Sequence, residues 1–321
     1  MAQTLAARPL GDSSIHVTVA GLGCNNFGRR LDAGASIRVV HTALDSGINF
    51  FDTADVYSFG ESERHLGAAL KGRRDQAVVL TKFGSPANPE HPEHRGASPE
   101  HVRRAIDASL RRLQMDYVDV YMLHQPDRST PIEATLEALD SLVSEGKVRA
   151  IASSNFAGWQ VADADWTSRS QDFARFVAAE NRYSLHDRSA ERELVPACRR
   201  FGLSLIPYSP LANGMLTGKY RRGQPTPEGT RLASSPRAAE ALNDRNFDLV
   251  EAIERFATQR GITPIAVALG WLAAQPEVAS VIAGATSAEQ VVANVAATAW
   301  EPTEEDLAEL DVVITGSNST T

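Results

Sequence analysis

Short apolar runs rich in Val, Ile and Tyr recur along the chain, each followed by an amphipathic stretch. The predicted strands fall at Val17–Leu22, Ile48–Phe51, Ala77–Leu80, Tyr117–Leu123, Val148–Ala152, Phe176–Ala179, Leu203–Pro207 and Val278–Ile282. Strands that alternate with helical periods point to a parallel sheet covered by helices. Eight such units close a barrel, and 321 residues accommodate one with insertions. The expected fold is therefore a single-domain (β/α)8 TIM barrel spanning residues 1–321.

The helices carry their own punctuation. Ser98-Pro99 reads as an N-cap with proline at the first helical position, and Val102, Ala105, Ile106, Ser109, Leu110 and Leu113 then share one face. Thr130 to Glu133 reads as a capping box, followed by Ile132, Leu136, Leu139 and Val143 and stopped by Gly146. Leu194, Cys198 and Phe201 mark another helix, closed by Gly202. Ser287 to Gln290 opens the last barrel helix as a further capping box, and a short C-terminal helix is predicted from Thr303 to about Val313. Two segments break the alternation: Gly84–Gly96 and Leu211–Asn243 are rich in Gly and Pro. Each follows a strand, which places it at the strand C-terminal face, where barrel active sites sit.

Charge narrows the function. The chain carries −8, from 32 basic against 40 acidic residues, with no basic tail. That disfavours nucleic acid and anionic membranes. Cys24 and Cys198 lie too far apart for a disulfide framework or zinc spacing and suit a reducing, cytoplasmic compartment. Met1–Pro9 lack the apolar stretch of a signal peptide. The apolar stretch Ile262–Ala285 is split by Pro276 and Glu277 into a helix and a strand too short to span a bilayer.

Polar residues collect at the predicted strand ends. Asp52 and Tyr57 follow the second, Lys82 ends the third, and His124 ends the fourth. In a barrel these ends converge on one pocket, so the four meet in space. A free tyrosine is a feeble acid at neutral pH. The Lys82 ammonium beside Tyr57 lowers that barrier, Asp52 holds Lys82 charged, and His124 donates to the same substrate oxygen. Such a site polarises and protonates a carbonyl. The hydride must come from a cofactor.

Gly47 to Ala54, followed by Tyr57, Gly60 and Glu63, resembles the signature of the aldo-keto reductase superfamily. The resemblance covers nearly the whole chain and includes Leu123–Asp127, Ser154–Phe156, Tyr208–Leu211 with Gly218 and Lys219, and Gly284–Asn294. It implies that Asp52, Tyr57, Lys82 and His124 form the family's catalytic tetrad. It also implies NADP(H), with the nicotinamide on the Tyr208 ring and its carboxamide held by Ser154 and Asn155. The family's glutamine from the sixth strand is Glu180 here, which as a carboxylate accepts from the amide but cannot donate to it. Ser209, Leu211, Gly214 and Lys219 match the residues around the pyrophosphate, and Ser287, Gln290 and Asn294 match the adenosine end. Many members grip the 2′-phosphate with a lysine and an arginine where this chain has Gly284 and Gln290. The channel β-subunit branch shares that departure and still takes NADP(H), with a loop arginine whose part Arg231 takes.

Simpler readings stand beside these. The capping box is an adequate account of Ser287 and Gln290. Asp119 is expected to point into the barrel as a structural polar contact. His91 to His94 lacks the spacing of a helical zinc site. Gly21 and Gly23 miss the GxGxxG spacing and are expected to let the first strand's loop approach the cofactor. Two other functions compete with a carbonyl reductase. One is an NADP(H)-binding regulatory or redox-sensing subunit with little turnover. The other is Schiff-base chemistry on Lys82, which neighbouring Asp52 opposes by keeping the amine protonated.

Overall fold

The computed structural model describes residues 5–85, 95–233, 235–236 and 238–318. An antiparallel hairpin, β1 (Ala7–Pro9) and β2 (His16–Thr18), comes first. Then follow β3 (Ala20–Gly23), α1 (Ala33–Asp45), β4 (Phe50–Asp52), α2 (Glu61–Ala69), β5 (Val78–Phe83), α3 (Pro99–Leu113) and β6 (Val118–Leu123). Next come α4 (Ile132–Ser144), β7 (Val148–Ser154), α5 (Gly158–Gln171), β8 (Phe176–Arg182), α6 (Leu194–Phe201) and β9 (Ser204–Tyr208). The last part holds α7 (Ala238–Ala241), α8 (Asp244–Arg260), α9 (Pro264–Ala273), β10 (Val281–Gly284), α10 (Ala288–Thr298) and α11 (Glu304–Asn318).

The eight strands from β3 to β10 pair in parallel in the order β10-β3-β4-β5-β6-β7-β8-β9. A lone bridge between Leu205 and Val278 spans the last gap, with Leu205 N–H donating to Glu277 O at 2.7 Å. The sheet is thus the expected barrel. Strand alternation sorts its side chains. Phe50, Leu80, Val120, Met122, Ala152 and Ile206 fill the interior, while Phe51, Val79, Tyr121, Ile151 and Leu205 face the helices. Leu10, Ile15 and Val17 join the interior cluster, so the hairpin plugs the strand N-terminal end. That leaves the opposite end open.

Several local expectations shift. The first predicted strand is broken at Val19, because Thr18 N–H donates to Asn49 Oδ1 and the Thr18 hydroxyl to Ala20 O. The last is displaced to Val281–Gly284, its predicted start going to the closing bridge. Thr130 does not cap α4: its hydroxyl donates to Asp127 Oδ2 at 2.7 Å, and Pro131 precedes the helix. Asp119 is structural, as expected, but strand parity turns it outward. It lies between Arg74 (2.6 Å) and Arg149 (2.7 Å) and accepts from Val79 N–H. The C-terminal helix runs to Asn318, past its predicted end. His91 and His94 lie outside the described residues.

Candidate active site

After β4 the chain stays against β5 for several residues. Thr53 N–H donates to Leu80 O and Asp55 N–H to Lys82 O. It then enters a 3₁₀ turn, Tyr57–Gly60, in which Ser58 (φ 51°) and Phe59 (φ 56°) are left-handed. Such backbone is sparsely populated and needs support. The Ser58 hydroxyl donates to Phe27 O, and Gly60 (φ +87°) packs where a Cβ would stand 2.6 Å from Arg112 Cδ. Arg112 in turn grips Glu63 at 2.5 Å, and Thr81 donates to the same carboxylate. Gly60 and Glu63 therefore shape the turn that carries Tyr57.

That turn sets Tyr57 Oη 3.1 Å from Lys82 Nζ. Lys82 has no exposed surface and pairs with Asp52 Oδ1, with Thr53 O at 3.3 Å. The His124 ring meets Tyr57 edge-on, centroids 5.9 Å apart. Glu180 Oε2 lies 3.4 Å from Lys82 Nζ and holds no hydrogen bond, and His124 Nδ1 is likewise buried without a partner. Ser154 Oγ and Asn155 N–H donate to Glu180 O, Asn155 Nδ2 donates to His124 O, and Tyr208 Oη donates to Asn155 Oδ1. One hydrogen-bonded string thus ties β6, β7, β8 and β9 together.

Burial works against the Lys82 ammonium, but its acidic neighbours, Asp52 first, outweigh burial and hold the ammonium well above its ordinary range. The Tyr57 phenol moves opposite to expectation. Burial raises it, and the pull of Lys82 offsets only part of that rise. Tyr57 is therefore protonated throughout the neutral range. Burial, then the Lys82 charge, pushes His124 down to about 3, so its ring is neutral. Burial and then the Asp52 charge push Glu180 up to about 8. A protonated Glu180 donates as well as accepts, contrary to its expected limit as a carboxylate.

These groups form one end of a cavity of about 920 Å³. Asp52, Tyr57 and His124 line it, with Lys82 behind the wall. Ser154, Asn155, Glu180 and Tyr208 follow, then Ser209, Leu211, Gly214, Lys219 and Arg231. Gly284, Gln290 and Asn294 form the far end. Ser287 does not line it; its hydroxyl caps α10, accepting from Gln290 N–H, while Gln290 Oε1 accepts from Thr286 N–H. Gly23 and Gly284 pair in register at the rim, where a Cβ would come 3.0 Å from Ile282 and 3.3 Å from Asn26 respectively. The bare glycine wall, Lys219 and the N-terminus of α10 suit an elongated anionic ligand such as a dinucleotide. Sequence reasoning missed Asn25, Asn26, Arg30, Arg182 and Thr286, which also line the cavity. Arg182 was findable: it stands two residues beyond Glu180 on the same strand, hence on the same face.

A family model described as the aldo/keto reductase family matches residues 20–315. The chain belongs to the aldo/keto reductase family. This is a family of oxidoreductases whose members bind NAD(P)H. The chain is 35% identical over 292 residues to "Uncharacterized oxidoreductase YrpG" of Bacillus subtilis (strain 168), covering 88% of this chain and 87% of the relative. It is 35% identical over 307 residues to "Probable aldo-keto reductase 1" of Glycine max, covering 94% and 86%. It is 34% identical over 298 residues to "Probable voltage-gated potassium channel subunit beta" of Oryza sativa subsp. japonica, covering 90% and 89%. Among the described residues no helix is long and apolar enough to cross a membrane.

Proposed function

We propose that this aldo/keto reductase is an NADP(H)-dependent reductase of aldehydes and ketones, with Tyr57 as general acid. The observation that carries the reading is a buried, charged Lys82 between Asp52 and the Tyr57 hydroxyl, at one end of a dinucleotide-sized cavity. When bound, the nicotinamide supplies a hydride. The chain's own residues then account for the proton. Tyr57 donates its hydroxyl proton to the carbonyl oxygen as negative charge develops there. Lys82, 3.1 Å away, stabilises the phenolate left behind. Neutral His124 donates a second hydrogen bond from Nε2, which leaves its partnerless Nδ1 as an acceptor. Asp52 keeps Lys82 charged and fixed.

The preference for NADP(H) is supported by positive groups along the cavity. Lys219, Arg231 and the positive end of the α10 dipole are available to phosphates. Ser154, Asn155 and protonated Glu180 would hold the carboxamide beside Tyr208. Two buried free thiols, Cys24 and Cys198, support a reducing, cytoplasmic setting. The names of the plant relatives favour a second reading: an NADP(H)-binding subunit that regulates a partner and turns over little. Mixing the protein with NADPH or NADH and 4-nitrobenzaldehyde, and following nicotinamide absorbance, separates the two. Multiple turnovers with NADPH preferred support the reductase. Tight NADPH binding without turnover on a broad carbonyl panel favours the subunit.

A further inference from the structure

A second cavity of about 590 Å³ adjoins the first and shares Arg30, Arg182 and Arg231 with it. Arg29 lines the second cavity alone. The four guanidinium groups come from three separate parts of the chain: the segment after β3, the last residue of β8, and the segment between β9 and α7. None forms an ion pair among the described residues. Arg182 lies over the Tyr208 ring at 6.0 Å, and Arg30 donates to Gly229 O. Glu228 and Glu240 stand on the cavity walls without pairing to any of them.

What sets these four apart is that they line one cavity together. The chain is acidic, and other arginines hold carboxylates: Arg222 pairs with Asp244, Asp248 and Glu251, and Arg188 with Glu191 and Asp311. Here like charges crowd instead. Burial, then Arg29 and Arg30, lowers the Arg231 pKa, and Arg30, Arg182 and Arg231 line the same cavity as Tyr57, so the cluster opens onto the proposed acid. Clustered cations with no acid partner repel one another, and an anion relieves that repulsion. Guanidinium forks match carboxylate and phosphate oxygens two at a time. The dinucleotide's phosphates have Lys219, Arg231 and the start of α10, which leaves Arg29, outside that cavity, and Arg30 and Arg182, on its border with the second, for another anion.

We propose that the substrate of this site is an anionic carbonyl compound, whose carboxylate or phosphate enters the arginine-lined cavity while its carbonyl faces Tyr57. The proposal rests on the reductase reading above. The test compares kcat/KM within matched pairs: 4-carboxybenzaldehyde against methyl 4-formylbenzoate, and glyceraldehyde 3-phosphate against glyceraldehyde. The expected result is at least a tenfold preference for the anionic member of one pair; which pair shows it identifies carboxylate or phosphate. In an Arg29→Ala variant, which changes the one arginine of the four outside the dinucleotide cavity, that preference should fall at least tenfold, with NADPH affinity by fluorescence titration held within threefold. Turnover with a ratio near one in both pairs overturns the inference and leaves the reductase reading standing. A preference that survives in the variant overturns it too, as does a loss of NADPH affinity with the preference retained. If no carbonyl turns over, calorimetry on the NADP⁺-loaded protein decides. Binding of 4-carboxybenzyl alcohol but not benzyl alcohol, abolished in the variant, supports the anion site and removes only the reductase reading. No binding of either overturns it.

Discussion

Lys82 shows how much one buried charge can organise. An ammonium without exposed surface is costly unless paired, and two carboxylates and a phenol surround it. Burial, then the Asp52 charge, raises Glu180 to about 8, because the single charge of Lys82 offsets only part of the two. A carboxyl raised in the folded state binds its proton more tightly there than in the unfolded chain. Its contribution to stability is therefore lost as pH rises from its unfolded value, about 4.3, toward 8. Glu180→Gln should flatten the fall of Tm across that window and raise Tm near pH 8. Asp55, pushed up to about 8 by burial and then by Glu63, keeps part of the slope. Calorimetric scans of both proteins at pH 5 and pH 8 check this; an unchanged slope would place the Glu180 proton elsewhere. At this scale the convergence of Asp52, Tyr57, Lys82 and His124 was legible because they are polar residues at the ends of apolar runs. The sign of the Tyr57 shift was not, because neighbours can be inferred from strand order while burial depends on the whole fold. The arginines were missed because Arg29 and Arg30 reach their cavity from a loop.

The elements depend on close contacts that periodicity does not announce. Gly67 on α2 lies against α3, where a Cβ would meet Leu113 O at 2.1 Å. Backbone cannot yield as a flexible side chain can. Gly67→Ala should destabilise by about 1–3 kcal/mol or more through overpacking, despite its better helix propensity. Urea denaturation measures it, and a neutral result would mean that the two helices slide apart freely. Helix faces and stops were readable, since they follow a local period and local caps such as Ser98 and Gly202. Capping at Thr130 was not. The choice between capping a helix and donating to Asp127 is made by the β6–α4 loop, in which Asp127 also accepts from Ala97 N–H and Ser129. The break at Val19 likewise depends on Asn49, thirty-one residues from Thr18 in sequence.

At the scale of the whole molecule, the barrel has a working end and a sealed end. The eight-fold alternation made the barrel legible from sequence. The hairpin plug was not, because its three-residue strands are shorter than any readable period. Leu10 is fully buried in the interior cluster, at the end away from Tyr57. Leu10→Ala should cost about 2–5 kcal/mol of stability while leaving NADPH affinity within error, as denaturation and fluorescence titration would show. A loss of affinity would mean that the two ends are coupled. The central claim is that Tyr57, tuned by Lys82, gives its proton to the carbonyl as hydride arrives. Its most direct test is single-turnover stopped flow, with NADPH-loaded protein mixed with a reducible aldehyde. Tyr57→Phe should slow nicotinamide oxidation by about 10²–10⁴-fold with NADPH still bound; oxidation at the unmodified protein's rate would contradict the account.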